Sequence, residues 1–353
     1  MFVARPIARD DLPELLALSE LTGTGLTTLP ADHDRLLARI DRSLASFEGA
    51  AARADECYMF VLVDTASGRV VGTSGIEAAI GLAEPFYNFR VGTLVHASRQ
   101  LGVYTSVPIL FLGNDHTGHT ELVSLFVDQR FRHARSGTLI SKSRLLFIAE
   151  FAGRFATRVI AELRGTLAAD GRSPFWEGLG RHFFAIDYSA ADYLTGVGHK
   201  AFIAELMPRH PVYLNLLPRD ARDAVGVVHD DTRPARALLE QEGFRYEGYI
   251  DIFDAGPTLE CLRDDIGALR HSRVMDSDTV RRDANDHGGG QVPWLVANRS
   301  LSQWRTIIAP APLDIERFPL PPEAADALAL GADRSVRVVP LSPQHRQPAA
   351  APR

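Results

Sequence analysis

The chain predicts a mixed α/β fold in two lobes, and three observations carry that expectation. Apolar residues alternate between a period of two and a period of three to four along most of the sequence, the patterns of half-buried strands and amphipathic helices. A length of 353 residues suits two domains better than one. A short grammar also occurs twice: "SPFWEGLGRHFF" (173–184) places Ser173, Pro174, Gly180 and an aromatic pair where "TRPARALLEQEGFRY" places Thr232, Pro234, Gly243 and Phe244. Proline at a helix start and glycine at its end are general punctuation, but two copies suggest a duplicated unit.

The elements follow in order. "MFVARPIARDDLPELLALSEL" reads as a short strand and a helix capped at Asp10 or Asp11. A second amphipathic helix covers about 31–47, with Leu36, Leu37, Ile40, Leu44 and Phe47 at helical spacing. "YMFVLVD" (58–64) and "RVVGTSGIEAAIG" (69–81) form a hairpin about Gly68, and 82–123 reads as short strands joined by turns. "SLFVDQRFRHARSGTLISKS" (124–143) is a strand, a basic loop and a helix to about Phe155, followed by a buried strand "RVIAELRG" (158–165). "SPFWEGLGRHFFAIDY" predicts a short helix and a strand.

The first lobe is placed at 1–188 and the second at 189–271. The second holds strand-like "KAFIAEL" (200–206) and "PVYLNLL" (211–217), a short helix from Pro218, a helix at 233–243 and strand "FRYEGYIDIFD" (244–254). Polar, glycine-rich 272–291 predicts an exposed loop, 292–338 a C-terminal β segment, and 339–353 a disordered tail.

Composition is that of a globular protein, with 46% hydrophobic and 23% charged residues. A net charge of −6 excludes the basic footprint of a dedicated nucleic-acid binder. Early charges at Arg5, Arg9, Asp10 and Asp11 interrupt any leader, and no apolar run approaches bilayer length, so a cytoplasmic protein without membrane contact is expected. Cys57 and Cys261 match no metal or CxxC spacing, and no metal is expected.

The strand–loop–helix at 124–143 carries the strongest chemical signal. A helix entered directly from a strand offers unpaired N–H groups and the positive end of its dipole to an anion. Ser136 is placed to cap, Gly137 to admit close approach, and Arg132 and Arg135 to add charge, so a pyrophosphate fits; a solvated basic turn fits the same residues. His229, beside Asp230 and Asp231, is placed for proton exchange near neutrality, and a surface-loop histidine fits the same residues. His116 and His119 form a weak metal pair that turn chemistry explains equally well. Arg90 and Arg164 interrupt strand-like runs and need an acid or an anionic ligand, and Glu162 and Glu205 are the converse candidates for a cation; a paired or solvent-facing strand position fits each of the four better than a ligand role.

The order of these elements resembles the GNAT acyl-CoA-dependent N-acyltransferases, whose loop reads Arg/Gln-x-x-Gly-x-Gly/Ala. Arg132 and Gly137 match its ends, and Arg135 stands in place of the central glycine. Longer stretches, "LTGTGLTTLP" (21–30), "PFYNFRVGTLVHAS" (85–98), "FLGNDHTGHTEL" (111–122), 173–184, 200–213 and 234–261, are similar to the arginine N-succinyltransferase family. The resemblance covers about 1–262 densely and 292–340 loosely.

It implies a mixed, mostly antiparallel sheet flanked by helices in two GNAT-like lobes. It further implies transfer of the succinyl group of succinyl-CoA to the α-amine of L-arginine, the first step of arginine succinyl-transfer catabolism, with no tightly bound cofactor. A proton-donating catalytic histidine maps onto His229 and an acyl-CoA contact onto Leu125. Backbone of Leu125, Phe126 and Val127 is then expected to hold the pantetheine arm, and Arg132, Arg135, Ser136, Gly137 and Thr138 the pyrophosphate. Arg90 and Arg164 become candidates for the succinyl carboxylate. The expected assembly is a homo-oligomer or an oligomer with a related subunit. An ornithine-directed subunit and a non-catalytic acyl-CoA-binding subunit are the alternatives.

Overall fold

Strands built from Val, Ile and aromatic residues join into one twisted sheet, seen in a computed structural model that describes every residue except 24, 25, 27, 197–200, 280–289, 332–333 and 347–353. The elements run β1 (Phe2–Pro6), α1 (Leu12–Thr22), α2 (His33–Phe47), β2 (Cys57–Asp64), β3 (Val70–Glu77), β4 (Asn88–Ser98), β5 (Val103–Gly113) and β6 (Thr120–Val127). Next come α3 (Ser136–Glu150), β7 (Arg158–Glu162), α4 (Arg181–Phe184), α5 (Tyr188–Gly196), α6 (Ala201–Leu206), β8 (Val212–Tyr213), α7 (Arg219–Ala224), α8 (Arg233–Gln241), β9 (Arg245–Ile250) and β10 (Pro257–Leu262). The chain continues through α9 (Gly267–His271), β11 (Arg273–Thr279), β12 (Val292–Ala297), β13 (Thr306–Ala311), β14 (Phe318–Leu320), α10 (Pro322–Ala327) and β15 (Ser335–Pro340).

Strand order across the sheet is β14-β11-β15-β12-β13-β1-β2-β3-β6-β7-β10-β9-β4-β5-β8. Among the described pairs only β6–β7 and β11–β14 are parallel. The mixed, mostly antiparallel sheet flanked by helices is the architecture expected. β9 and β10, assigned to a second lobe, pair with β4 and β7 of the first, so the sheet is continuous across the division drawn at residue 188.

The apolar run in β2 is explained by burial on both faces. Tyr58, Phe60 and Leu62 face α3, while Met59 and Val61 face α1 and α2. α3 is buried nearly all round, from Leu139 through Ile148, as a helix sandwiched in a large core must be. Its Lys142 reaches Glu242 at 2.7 Å, and Glu242 also pairs with Arg346 at 2.7 Å. This buried triad ties α3 to the C-terminal segment.

Four expectations change. Ala201–Leu206 of "KAFIAEL" is helix rather than strand, Lys200 lying outside the described residues: Met207 N donates to Ile203 O at 3.0 Å, and both side chains are buried, the i,i+4 face of one turn. "SPFWEGLGRHFF" is helical to its end, with a π-helical turn at Trp176–Gly180 running into α4, so no aromatic strand follows it and the echo with 232–246 is partial. Residues 273–279 of the expected exposed loop are strand β11, whose Ser277 is buried; 280–289 lie outside the described residues. The first part of the expected tail is ordered, because Val339 and Leu341 are buried and Arg346 is ion-paired; 347–353 lie outside the described residues.

Candidate active site

β6 and β7 pair only at Thr120↔Val159 and Glu121↔Ile160, then run on to Val127 and Glu162 without pairing each other. Parallel strands that separate in this way leave facing backbone edges unbonded, which an extended ligand can pair with as an added strand. On its other edge β6 has one residue more than β3 between the pairs Thr73↔Phe126 and Gly75↔Val123, a β-bulge with Ser124 at φ 54°. The bulge is held by side chains: Ser124 Oγ accepts from Arg39 Nη1 at 2.9 Å and donates to Thr28 O at 3.0 Å, and Arg39 is braced by Glu77 at 3.0 Å.

The opening is a cleft of about 590 Å³. Leu125, Phe126, Val127, Arg132, Arg135, Ser136, Gly137 and Thr138 all line it, so the expected donor residues converge on one wall. At its mouth the first-turn amides of Gly137 and Thr138 make no backbone bond among the described residues, and a Cβ added at Gly137 would meet nothing within 4 Å. Arg132 is anchored through Nε to Val127 O at 2.9 Å and lies over the Phe126 ring at 5.9 Å. Arg130 is drawn away into an ion pair with Asp128 at 2.6 Å.

Two details of the loop differ from expectation. Ser136 does not cap the helix: it is the first helical residue, buried, and its hydroxyl donates to Phe131 O at 2.6 Å, closing the loop instead. Arg135 occupies the cap position in the left-handed region, φ 61° and ψ 24°. A non-glycine residue there costs roughly 1–2 kcal/mol, which accounts for glycine being usual at this point of the pattern.

The opposite wall is assembled from distant segments. Gly165 bridges to Val228, and His229 N donates to Arg164 O at 2.9 Å, so His229 is fixed beside the end of β7. Its ring is about a quarter exposed, and Nδ1 accepts from Asp231 N at 3.2 Å. A neutral ring that accepts at Nδ1 carries its proton on Nε2. The amide of Asp231 sets this tautomer rather than a neighbouring carboxylate, since the Asp231 carboxyl is 3.8 Å away and Asp230 pairs with Arg233 at 2.7 Å. His229 itself stands just outside the cleft lining, to which Asp231 and Thr232 belong.

Glu162 lines the cleft together with Asp251 and Asp254, two residues that sequence reasoning passed over. A Cβ at Gly165 would lie 2.3 Å from Asp254 O, and one at Gly256 would lie 2.0 Å from Leu163 O. Glycine at both positions therefore lets the 251–256 turn press against β7. Asp254 is fixed there by amides of Gly165 and Gly256, at 2.7 and 2.8 Å. Burial, then the charges of Asp251, Glu121 and Asp254, hold Glu162 well above the usual carboxylate range; burial and then Asp251 do the same to Asp254. The signal available in the sequence was the run "DIFDAG" after a strand, which reads equally as a turn.

Arg164 lines this wall, and its buried Nε has no hydrogen-bond partner among the described residues. Arg90 is exposed on β4 with its guanidinium 5.8 Å from the Tyr249 ring, and Glu205 is exposed on α6; neither borders the cleft. His116 and His119 meet each other through Nδ1 atoms at 3.1 Å. Among the described residues no group of three His, Cys, Asp or Glu is placed to hold a metal, and no helix is long and apolar enough to cross a membrane.

A bulged strand splayed from its parallel neighbour, with a helix start at the mouth of the gap, defines the class: a GNAT-like acyltransferase. The family described as arginine N-succinyltransferase beta subunit matches residues 2–268, and its C-terminal domain matches 279–340. An arginine N-succinyltransferase of Yersinia pseudotuberculosis is 49% identical over 346 residues, covering 97% of this chain and 98% of the relative. One of Escherichia coli is 47% identical, covering 98% and 99%. The solved structure of arginine/ornithine succinyltransferase subunit AI from Pseudomonas aeruginosa superposes with a TM-score of 0.87 at 37% identity, over 97% of this chain and 99% of that one. The chain belongs to the arginine N-succinyltransferase family.

Proposed function

We propose that this chain transfers the succinyl group of succinyl-CoA to the α-amine of L-arginine, giving N2-succinyl-L-arginine and CoA. The observation that carries the reading is the single cleft in which a helix start and a bulged free strand edge face an acidic wall. The pyrophosphate is bound by the Gly137 and Thr138 amides with Arg132 and Arg135, and the pantetheine arm by backbone of Leu125 to Val127. A backbone amide at the bulge polarises the thioester carbonyl. Glu162, Asp251 and Asp254 receive the cationic end of arginine, and Arg164 receives a carboxylate.

The amine nitrogen attacks the thioester carbon and the carbon–sulfur bond breaks. The nitrogen gives up a proton and the departing thiolate gains one. His229, with Nε2 free of protein partners among the described bonds, moves that proton. One donor site per chain is expected, because acids precede α8 where an anion loop would need arginines. The same proposal places the enzyme in the cytoplasm and in an oligomer of this chain or with a related subunit; exposed Leu94, Val95, Val103 and Tyr104 on the β4–β5 hairpin support a contact there.

Thiol release tests the reading. Succinyl-CoA with arginine is the expected fastest pair among succinyl-CoA or acetyl-CoA with arginine or ornithine. Faster acetyl transfer removes the succinyl assignment, faster reaction of ornithine moves the acceptor, and no turnover with any pair favours a non-catalytic subunit. Titration that finds two donor molecules per chain contradicts the division of the cleft.

A further inference from the structure

The most unusual group in the cleft wall is a cation that the mechanism above leaves unused. Arg144 lies two turns into α3 and is 2% exposed, yet it borders the cleft. Its Nε donates to Ser141 O at 3.1 Å, Nη2 to Ser141 Oγ at 3.2 Å and Nη1 to Val123 O at 3.3 Å. These are neutral acceptors at modest distances, and they use three of the five N–H groups a guanidinium carries. No carboxylate pairs with it among the described residues. Burial alone pushes its pKa down, to about 9, still leaving it charged at neutral pH.

Position along the cleft gives this charge a meaning. Eight residues separate Arg144 from the helix start at Ser136, about 12 Å along the axis. It stands behind Val123, one residue before the bulge, where the thioester end of a donor anchored at Gly137 and Thr138 would come to lie. Glu121, Leu122 and Ala161 form the adjoining wall, where β6 and β7 converge. A buried charge without a counter-ion is destabilising, and an acyl chain ending in a carboxylate supplies the missing partner.

We propose that Arg144 is the residue that reads the distal carboxylate of the succinyl group, and so sets dicarboxylic over monocarboxylic acyl donors. This rests on the acyltransferase reading above. Arg164, on the wall with Glu162 and Asp254, is left to the α-carboxylate of the amino-acid acceptor.

The test compares succinyl-CoA with butyryl-CoA, which has a methyl group in place of the carboxylate, in the wild type and in Arg144→Met, Arg144→Lys and Arg164→Met. In Arg144→Met, kcat/KM for succinyl-CoA is expected to fall at least about thirtyfold while that for butyryl-CoA holds or rises. Arg144→Lys should keep part of the preference. Arg164→Met should raise the KM for arginine without changing donor preference. An equal fall with both donors makes Arg144 a support of the bulge only and overturns the proposal, as does an unchanged preference. A wild type that does not prefer succinyl-CoA overturns the succinyl reading itself, and the role of Arg144 with it. Should Arg144→Met fail to fold, a crystal structure of the wild type with a non-hydrolysable succinyl-CoA thioether decides. A carboxylate within hydrogen-bond distance of Arg144 supports the proposal; one at Arg164 or in solvent overturns it.

Discussion

The two walls of the cleft are built in opposite ways. The donor wall is nearly one continuous stretch, from Ser124 to Thr138, in which a bulge, a basic loop and a helix start follow one another. The wall proposed for the acceptor draws Glu162 and Arg164 from the end of β7 and Asp251 and Asp254 from the turn after β9, with His229 just outside it on the approach to α8. Local backbone conformation lays out the first, with its bulge braced by Arg39 and Thr28, and long-range packing through Gly165, Gly256 and the Gly165–Val228 bridge fixes the second. Substitutions should therefore separate cleanly, with donor binding following one wall and acceptor binding and proton transfer the other.

The largest effect is expected at His229. His229→Ala should lower kcat by about 10²–10⁴-fold, while CoA binding measured by calorimetry stays within about twofold; unchanged turnover would remove histidine from the reaction. Glu162→Gln comes next, with the KM for arginine raised roughly thirtyfold or more and the KM for the donor unmoved. If both rise together, the walls are not independent.

The same carboxyl gives a pH signature. Glu162 and Asp254 have folded pKa values raised above their unfolded ones, so the folded chain holds more protons than the unfolded chain. Their stabilising contribution is complete below the ordinary carboxylate pKa of about 4 and is lost as pH rises through the raised folded values. The Tm of the unliganded protein should fall over that range. Glu162→Gln should flatten the fall, and arginine, by supplying a cation, should offset it in the wild type. A slope identical in the variant would show that Glu162 is not protonated in the folded protein.

The smallest effect is expected at Arg135. Arg135→Gly should relieve the left-handed backbone and raise stability by about 1 kcal/mol, a shift of a few degrees in Tm at most for a chain of this size. The KM for the donor should rise only a few-fold, as one exposed cation at the pyrophosphate is lost. Destabilisation would mean that the arginine side chain, rather than the backbone, holds the loop.

This contrast also explains what could be read from sequence. The wall proposed for the donor was legible as one stretch because residues adjacent in the chain are adjacent in the cleft. The cap was misplaced by one position, onto Ser136 instead of Arg135, since an N-cap and a first-turn residue look alike without backbone angles. Arg144 was hidden inside a helix whose neighbours are all core, where sequence offers no sign that a guanidinium borders a cavity. On the acceptor wall Glu162, Arg164 and His229 could be named, but Asp251 and Asp254 could not, because a turn explains "DIFDAG" without a ligand. Arg90 and Glu205 were named by the same reasoning as Arg164 and Glu162, and the structure places only the latter two on the cleft. The strands of 82–123 proved to be one long hairpin, β4–β5, and the start of β6, because turn-forming residues mark where strands end but not which strands pair.

A crystal structure of the chain with CoA and L-arginine bound together tests the two-walled cleft most directly. The expected result places the pyrophosphate on the Gly137 and Thr138 amides, the pantetheine arm along Leu125 to Val127, and the guanidinium of arginine on the side of Glu162 and Asp254. A guanidinium bound away from these acids, or CoA lying outside the gap between β6 and β7, would contradict it.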